Sequence, residues 1–405
     1  MTSALICTVG MTFSPQNDIV DALVDEITAF NPALVLFLIS RESRENALKI
    51  AQRCNLAADA YEFIELESIH NLNDIFQTTN KAIRSLHARG FSNQQISLNY
   101  TSGTKVMGSG AVLSAIFNQC QELRYIYEGR GGDRVVKTHP SAVFAYRDLL
   151  VSQKLIEEMR FRSATDTLDT IDTSLLSEYD VQTVVALRAI ADAYYYWDNF
   201  HHKQFVEIMK SLPPDIERAA RFLVGDNVLD LVTGIGQICE TCEYTPALFA
   251  DMMNNALRRK LEGQLDDAMT RMYRVLEMLA QWVLRRADID TDDLDTRRVP
   301  PRYRVNYEAM RSMDDGQVRI GLRKSYELLA LMKTPLGLRF RSYDELGRML
   351  HERRNSILAH GTQPVKEEDC ANLLAAVREL FRSEVPDFDN LCHTLQFPWL
   401  KERVS

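Results

Sequence analysis

The sequence lacks any long apolar run. Its longest strongly apolar stretch, Ala33–Ile39, is far shorter than the roughly 20 residues that a membrane-spanning helix needs. A basic segment is also missing at the start, and Asn17, Asp18 and Asp21 interrupt the apolar residues early, so nothing there resembles a signal peptide. The sequence therefore predicts a cytoplasmic protein with no membrane partner.

Cysteine is scarce and odd in number. The seven cysteines are widely scattered, which excludes a disulfide framework. The one close pair, Cys239 and Cys242, has no second Cys or His pair at ligand spacing, and this favours two ordinary helix-borne thiols over a zinc site. The Walker A pattern is absent as well, so we do not expect the protein to hydrolyse nucleoside triphosphates. We predict no metal and no resident cofactor.

An excess of positive charge is also lacking. The net charge of -9 argues against a general nucleic-acid coating protein. Charge is uneven, however, because the stretch from Arg258 to Arg354 holds 21 Lys/Arg against 16 Asp/Glu. The C-terminal third is therefore where RNA would dock. A solvated helical surface of mixed charge is the alternative, since Asp288–Asp295 is strongly acidic.

The first part of the chain alternates buried strands with amphipathic helices. A length of 405 residues predicts roughly two to three domains. Alternation of this kind predicts a parallel sheet covered by helices on both faces. Strands are expected at Ala4–Val9, Ala33–Ile39, Tyr61–Leu66 and Ile96–Tyr100, with a terminal hairpin of Leu123–Tyr127 and Val135–Thr138.

The turn Thr101–Lys105 follows the strand Ile96–Tyr100 and starts the next helix. Small hydroxylated residues and glycine at a helix N-terminus leave backbone N–H groups free to meet an anion such as a phosphate. Open α/β sheets also place ligands at the carboxyl ends of their strands. A well-capped helix with no ligand is an equal alternative.

From about Leu149 onward the pattern is helical. Aromatic residues between Tyr194 and Phe200 predict a core or an interface rather than an RNA-stacking platform, and Pro213-Pro214 should end a helix. Ser342 is expected to cap the helix that leads to the last motif. Amphipathic helices are predicted at Leu155–Leu168, Tyr179–Tyr196, Phe205–Leu212, Leu265–Glu277 and Arg323–Met332.

That last motif is Arg353-Arg354-Asn355-Ser356-Ile357-Leu358-Ala359-His360-Gly361. Arginine presents a planar fork to phosphate oxygens, and histidine exchanges a proton near neutral pH. The pair suits cleavage of RNA, in which the 2′-hydroxyl is the nucleophile and no metal is required. The plain alternative is a surface cation and a helix-terminal histidine before a glycine stop. On an ideal helix Arg353, rather than Arg354, lines up with His360, so either the helix loosens or Arg353 shares the work.

This stretch resembles the R-x(4-6)-H signature of HEPN ribonucleases, in the form carried by CRISPR-associated CARF-HEPN proteins, and Leu265–Glu277 resembles their first long HEPN helix. The resemblance implies a metal-independent endoribonuclease of type III CRISPR antiviral defence, whose active site a second subunit completes. Attack by the 2′-hydroxyl would give a 2′,3′-cyclic phosphate. Arg354 would stabilise the phosphate, His360 would be the acid/base, and Asn355 would be a supporting polar group.

The N-terminal strands resemble CARF domains, which are Rossmann-like sensors that bind cyclic oligoadenylate across a dimer interface. The likeness is carried by Thr8–Thr12, Leu36–Ser40 and Leu98–Met107. It implies a homodimer and an allosteric activator, cyclic tetra- or hexaadenylate. The ligand-binding residues that it implies are Gly10, Met11, Thr12, Ser40, Thr101, Ser102, Gly103, Thr104 and Lys105.

We therefore expect an α/β Rossmann-like CARF domain at residues 1–148, an all-α connector at 149–243 and an all-α HEPN ribonuclease domain at 244–405. Cyclic oligoadenylate would activate cleavage of single-stranded RNA. Two other functions stay open: a cyclic-nucleotide sensor without nuclease activity, and a Rossmann-like hydrolase or transferase using the N-terminal cleft, which includes an enzyme that cleaves its own cyclic ligand.

Overall fold

The structure is a computed structural model that describes residues 3–11, 19–129, 132–224, 232–236, 238, 244–343, 346–347, 350, 356 and 361–403. The chain divides into two compact units. The first comprises Met1–Val151 and Thr167–Val181, and the second comprises Ser152–Asp166 and Gln182–Ser405. The expected division into three domains, with limits at 148 and 243, stays a prediction.

A six-stranded sheet forms the centre of the first unit, in the order β3-β2-β1-β4-β5-β6. The first five strands are parallel, and β6 pairs antiparallel to β5 as the terminal hairpin. This confirms the predicted α/β domain and its hairpin. The strands are β1 Ala4–Val9, β2 Leu34–Ile39, β3 Tyr61–Glu65, β4 Ile96–Asn99, β5 Glu122–Gly129 and β6 Gly132–Thr138.

Helices cover both faces of the sheet. Alternate residues of β1 face opposite sides, so that Leu5 and Cys7 pack with α1 (Ile19–Phe30) and α2 (Arg44–Arg53). Ala4 and Ile6 pack with α3 (Leu72–Ala88) and α4 (Lys105–Phe117) on the other side. Both faces of β1 and β2 are buried, which explains why these strands are continuous apolar runs rather than alternating ones.

One buried ion pair ties α1 to β5. Arg124 and Glu26 are only 3% and 4% exposed, and the Arg124 Nε lies 2.5 Å from the Glu26 Oε1. Arg124 also pairs with Glu122, and its guanidinium lies 4.2 Å from the centroid of the Phe30 ring. Removing a single partner of such a pair would leave a buried charge uncompensated. The pair therefore holds α1 in place against the sheet.

The rest of the described chain is helical apart from two isolated β-bridges, as the sequence predicts. The run breaks at the two prolines as expected, and α9 begins at Pro214, where a missing N–H costs no helical hydrogen bond. The helices are α5 Ser141–Glu157, α6 Phe161–Asp169, α7 Glu178–Asp198, α8 His202–Ser211, α9 Pro214–Val224, α10 Pro246–Leu261, α11 Leu265–Arg285, α12 Arg304–Glu308, α13 Leu322–Leu331, α14 Pro335–Ser342, α15 Glu367–Glu384 and α16 Phe388–Thr394.

Two local predictions are wrong. The expected single helix Leu155–Leu168 is broken, because Met159 adopts a left-handed conformation with φ 61° and the Arg160 N–H bonds back to the Leu155 carbonyl. Ser342 does not cap a following helix either. It is the last residue of α14, and its hydroxyl donates to the Arg339 carbonyl at 2.8 Å.

Charged groups lie inside the core of the second unit. The Arg258 side chain on α10 is fully buried, with its Nε 2.8 Å from the Asp198 Oδ1. Its Nη1 donates to the Gln396 Oε1 at 3.1 Å, and its guanidinium lies 4.1 Å from the centroid of the Phe397 ring. Arg258 thereby joins α7, α10 and the segment after α16.

Asp251, also on α10 and fully buried, extends this network. Its Oδ1 accepts a hydrogen bond from the Trp197 Nε1 at 2.7 Å, and its Oδ2 lies 2.7 Å from the His202 Nε2. Tyr194 and Trp197 are wholly buried, so these members of the aromatic cluster belong to the core as the sequence predicts. His201 is exposed, which confirms that the adjacent histidines point to different sides.

Candidate ligand site and nuclease motif

The loops that follow β1 and β4 meet at the carboxyl edge of the sheet. The Gly10 N–H donates to the Ser102 Oγ at 2.9 Å, and the Thr8 hydroxyl donates to the Ser102 carbonyl at 2.5 Å. The two backbones are so close that a Cβ on Gly10 would lie 2.5 Å from the Gly103 Cα. Glycine is therefore required at position 10, and the structure brings Gly10, Ser102 and Gly103 together.

Hydrogen bonds that involve the side chains of Asn99 and Thr101 fix the shape of the turn Thr101–Lys105. The Thr101 N–H donates to the Asn99 Oδ1 at 3.0 Å, and the Thr101 Oγ1 accepts from the Ile126 N–H at 2.8 Å. Gly103 has φ +98°, a left-handed conformation that favours glycine. The turn is thus a rigid connection that presents the first N–H groups of α4 at the edge of the sheet.

Thr104 is the N-cap of α4. Its hydroxyl accepts from the Met107 N–H at 3.1 Å and donates to the Ile69 carbonyl at 3.0 Å, so its proton is already used within the protein. The hydroxyls of Thr101 and Ser102 differ from that of Thr104. Each accepts a hydrogen bond from a backbone N–H and still has its own proton to donate. Lys105 is exposed in the first turn of the helix.

Ser40 lies at the end of β2, beside a groove of about 670 Å³ that is lined by residues 40–42 and 65–70. Its N–H donates to the Ser43 Oγ at 2.9 Å, so Ser43 closes this turn. The groove is acidic. Hydrogen bonds from its own backbone N–H and the Ser40 hydroxyl lower the pKa of Glu42, and Arg41 is paired with Glu65 at 3.0 Å. Carboxylates repel a phosphate, so the charge of this groove does not favour an anion there.

Met11 is half exposed, and Thr12 lies outside the described residues. The Gly10 carbonyl accepts from the Asn46 Nδ2 at 3.0 Å, a support that sequence reasoning missed because Asn46 is far away in the chain. Asn99 was missed too, although an asparagine two residues before a bonded N–H is a recognisable Asx turn. All the ligand-contact assignments stay predictions.

The predicted catalytic residues Arg354, Asn355 and His360, with Arg353, lie outside the described residues. Ser356, in the middle of the motif, is buried, and its carbonyl accepts from the Gly361 N–H at 3.0 Å. This bond spans one residue more than the bond of an α-helix. The choice between Arg353 and Arg354 as the partner of His360 stays a prediction.

Two arginines of helix α11, Arg271 and Arg274, form ion pairs with acidic residues of the same helix. The Arg274 Nη1 lies 2.5 Å from the Glu277 Oε2, and its Nη2 donates to the Tyr244 hydroxyl at 2.9 Å. The Arg271 Nη1 lies 2.5 Å from the Asp267 Oδ1. Pairing, which the sequence favours for these residues, is what the structure shows.

Two kinds of feature are absent from the described ranges. No cluster of three His, Cys, Asp or Glu side chains suited to a metal ion occurs there, and Cys239 and Cys242 lie outside those ranges. Within the same residues, none of the helices combines the length and the apolar character needed to cross a membrane.

Residues 240–384 match the family model described as the Csm6 HEPN domain. Over almost the whole length, the structure resembles Enterococcus italicus Csm6 bound to cyclic hexa-2'-fluoro-hexa-dAMP, with 12% sequence identity, a TM-score of 0.55 and 98% of each chain covered. The chain thus has a Csm6-like fold, in which an α/β domain precedes a helical region that contains the HEPN match. The predicted order of an α/β domain followed by a helical region with a HEPN domain is thereby confirmed.

A second solved structure also matches part of the chain. It is Can2 from Sulfobacillus thermosulfidooxidans in complex with cyclic tetra-adenylate, at 10% identity, with 59% of this chain and 68% of that chain covered. The TM-score of 0.27 is too low to support a shared fold. No curated protein sequence matches the chain.

Proposed function

We propose that this protein is an endoribonuclease of type III CRISPR antiviral defence that cyclic oligoadenylate activates. The observation that carries the proposal is the position of the Arg354–His360 motif within the residues that match the Csm6 HEPN domain. The likeness of fold to a Csm6 that was solved with a cyclic nucleotide analogue supports the sensing half.

The proposed reaction is an internal transesterification of single-stranded RNA. The 2′-hydroxyl loses its proton to an imidazole and attacks the neighbouring phosphorus, while a second imidazole protonates the departing 5′-oxygen. A 2′,3′-cyclic phosphate and a free 5′-hydroxyl result. His360 of each subunit in a homodimer supplies one imidazole. Arg354 stabilises the charge that develops on the phosphate, and Asn355 helps to orient the phosphate. Arg353 is a further phosphate partner, and none of these steps needs a metal.

In the N-terminal unit, the proposed ligand is cyclic tetra- or hexaadenylate at the carboxyl edge of the sheet. A phosphate would accept hydrogen bonds from the N–H groups at the start of α4 and from the ammonium of Lys105. The protons that Thr101 and Ser102 retain would reach phosphate or ribose oxygens, whereas Thr104 would act by capping the helix. Gly10, Met11, Thr12, Ser40 and Gly103 complete the proposed lining.

Activation requires that the ligand bind the cleavage-competent state more tightly than the resting state. The test uses the purified full chain in EDTA, a fluorescent single-stranded RNA and cyclic oligoadenylates of several ring sizes. We expect cleavage with one ring size and products that end in a cyclic phosphate.

The His360→Ala variant should lose cleavage by about two orders of magnitude or more, and so should Arg354→Ala. His393→Ala is the matched control, because His393 is an exposed histidine on α16 of the same unit. The proposal is wrong if no ring size elicits cleavage, or if His360→Ala cuts as fast as the unaltered chain.

The two other functions predict different results in the same assay. A sensor without nuclease activity would bind a cyclic oligoadenylate tightly and leave the RNA intact. An enzyme that cleaves its own ligand would convert the ring to linear oligoadenylate, which chromatography of the ligand detects.

A further inference from the structure

Residues 296–343 carry a marked positive charge within an acidic chain. They hold eleven Lys/Arg and four Asp/Glu, whereas the whole protein has a net charge of -9. The charge is densest at residues 297–304, which contain Arg297, Arg298, Arg302 and Arg304 with Tyr303 and no acidic residue. We call these eight positions the arginine segment.

Two of these arginines are held by the protein. The Arg304 side chain donates to the carbonyls of Val299 at 3.0 Å and Arg297 at 2.8 Å, and so folds the segment back on itself. Arg297 is paired with Asp295, with its Nε 2.9 Å from the carboxylate Oδ1. Arg304 therefore shapes the segment, and Arg297 has a neighbouring carboxylate at hydrogen-bond distance.

The other two arginines are available to a partner. The Arg302 guanidinium lies 5.8 Å from the centroid of the Tyr303 ring, and the described residues offer it no carboxylate. Arg298 is half exposed and lies 3.8 Å from Asp288, a carboxylate that is itself 81% exposed. Ion pairs this open and this long contribute little and are easily exchanged.

The arginine segment is anchored on α13. The buried Tyr307 follows the segment, and its hydroxyl donates to the Lys324 carbonyl at 3.3 Å. From α13, the Tyr326 ring stacks on the Phe340 ring of α14 with centroids 3.8 Å apart. These contacts make one continuous support of α12, α13 and α14. Exposed cations without a described ion-pair partner on and between α13 and α14 are Arg323, Lys333 and Arg341.

We infer that the arginine segment, with the exposed cations of α13 and α14, is the docking surface for the single-stranded RNA that the proposed nuclease cuts. The inference rests on the proposed function and names how its substrate is held. Arginine forks match phosphate oxygens, and Tyr303 with Arg302 offers a flat surface for a base. In a chain of negative charge, such a surface directs a polyanion to one place. Helix α14 also precedes the Arg354–His360 motif closely in the sequence.

The test replaces Arg298 and Arg302 together by Gln and measures RNA binding by fluorescence anisotropy over a range of salt concentrations. All chains carry His360→Ala so that the RNA stays intact. We expect binding about tenfold weaker at low salt, and a slope of log K against log salt that falls by about 0.7 for each arginine. Arg302→Lys should keep most of the slope, because it keeps the charge.

Arg218→Gln is the matched control, since Arg218 is an exposed arginine of the same unit on α9 with no described ion-pair partner. It should bind RNA like the parent chain. Equal melting temperatures would show that the double variant is folded. Equal affinity and equal slope in the double variant and the control would overturn the inference. So would displacement of the RNA by polyglutamate, which would mark a surface for acidic proteins.

Cleavage assays with His360 intact separate the two proposals. The double variant should raise KM by about tenfold with kcat unchanged at saturating RNA. If the chain cuts RNA and the double variant has an unaltered KM, the docking surface is refuted and the nuclease stands. If RNA binding depends on Arg298 and Arg302 but no cyclic oligoadenylate elicits cleavage, the nuclease is refuted and the docking surface stands.

Discussion

The Gly10 N–H donates to the Ser102 hydroxyl across 2.9 Å and so joins the loops after two neighbouring parallel strands. This contact, with the close approach of the Gly10 and Gly103 backbones, makes one rigid edge out of two loops that are distant in the sequence. A ligand bound there would touch both loops at once. Under the proposed function, the affinity for a cyclic nucleotide should therefore depend on the geometry of this edge.

Gly10→Ala should disturb this edge. The added Cβ would lie 2.5 Å from the Gly103 Cα, and backbone atoms cannot yield as a flexible side chain does. We expect a loss of stability of about 1–3 kcal/mol and weaker binding of cyclic oligoadenylate. Thermal melting and ligand titration measure the two effects. Gly108→Ala is the control, because its Cβ would meet the Tyr100 carbonyl at an ordinary 3.6 Å, and it should melt no lower than the parent.

Ser102→Ala and Thr104→Val should differ in ligand affinity more than in stability. Each substitution removes an acceptor of a backbone N–H, at a cost of about 1 kcal/mol. Only the Ser102 hydroxyl has a proton left for a phosphate or ribose oxygen, so Ser102→Ala should weaken ligand binding by about tenfold beyond Thr104→Val. Calorimetric titration decides the question, and equal losses would count against the assignment of Ser102.

Asp251→Ala should destabilise the second unit strongly. Its carboxylate accepts from the Trp197 Nε1, contacts the His202 Nε2 and lies 3.7 Å from the Arg258 Nη2, all inside the core. Leaving a buried cation without this partner costs about 3–5 kcal/mol. Asp389→Ala removes an exposed carboxylate that pairs with Arg382, and it should cost no more than about 1 kcal/mol. Melting curves of the two variants that coincide would contradict this account of the core.

Among the five described cysteines, Cys54 should be alkylated first. Burial raises the pKa of Cys120 and Cys392 to about 12 and the pKa of Cys370 to about 11, so almost no thiolate forms at neutral pH. Burial also raises the pKa of Cys54, but this thiol is only half-buried. Iodoacetamide at about pH 8, followed by peptide mass spectrometry, gives the order. Denaturation should remove the differences, and early labelling of Cys120 in the folded protein would refute the prediction.

Periodicity alone predicts much of the first unit. The apolar runs of β1 and β2 predict buried strands, and the helical spacing of Leu23 and Ile27 predicts α1. Short connections between parallel strands then place β1, β2 and β3 side by side, whereas the pairing of β4 with β1 has no such local signal. At the candidate ligand edge, Gly10 and the turn Thr101–Lys105 could be selected from residue type and position in the strand–turn–helix unit.

Side-chain contacts across long sequence distances could not be predicted. Arg124 and Glu26 look like surface charges in the sequence, and only the folded sheet brings them into contact. The buried Asp198, Asp251 and Arg258 lie within helices whose apolar patterns do not reveal a charged core. The helix break after Glu157 depends on Met159, a residue with no preference for left-handed backbone, so no local signal marks it.

The buried pairing of Arg258 with Asp198 and Asp251 also bears on how this core can evolve. A single replacement among these residues can leave a buried charge without its partner. Selection should remove such a variant before a second replacement restores the balance of charge. Asp198 also pairs with Arg259, so it would keep a cationic partner if Arg258 were lost. In an alignment of distant homologues, the columns of Arg258 and Asp251 should therefore change together, and sequences that lack the arginine should carry a neutral side chain at the Asp251 position.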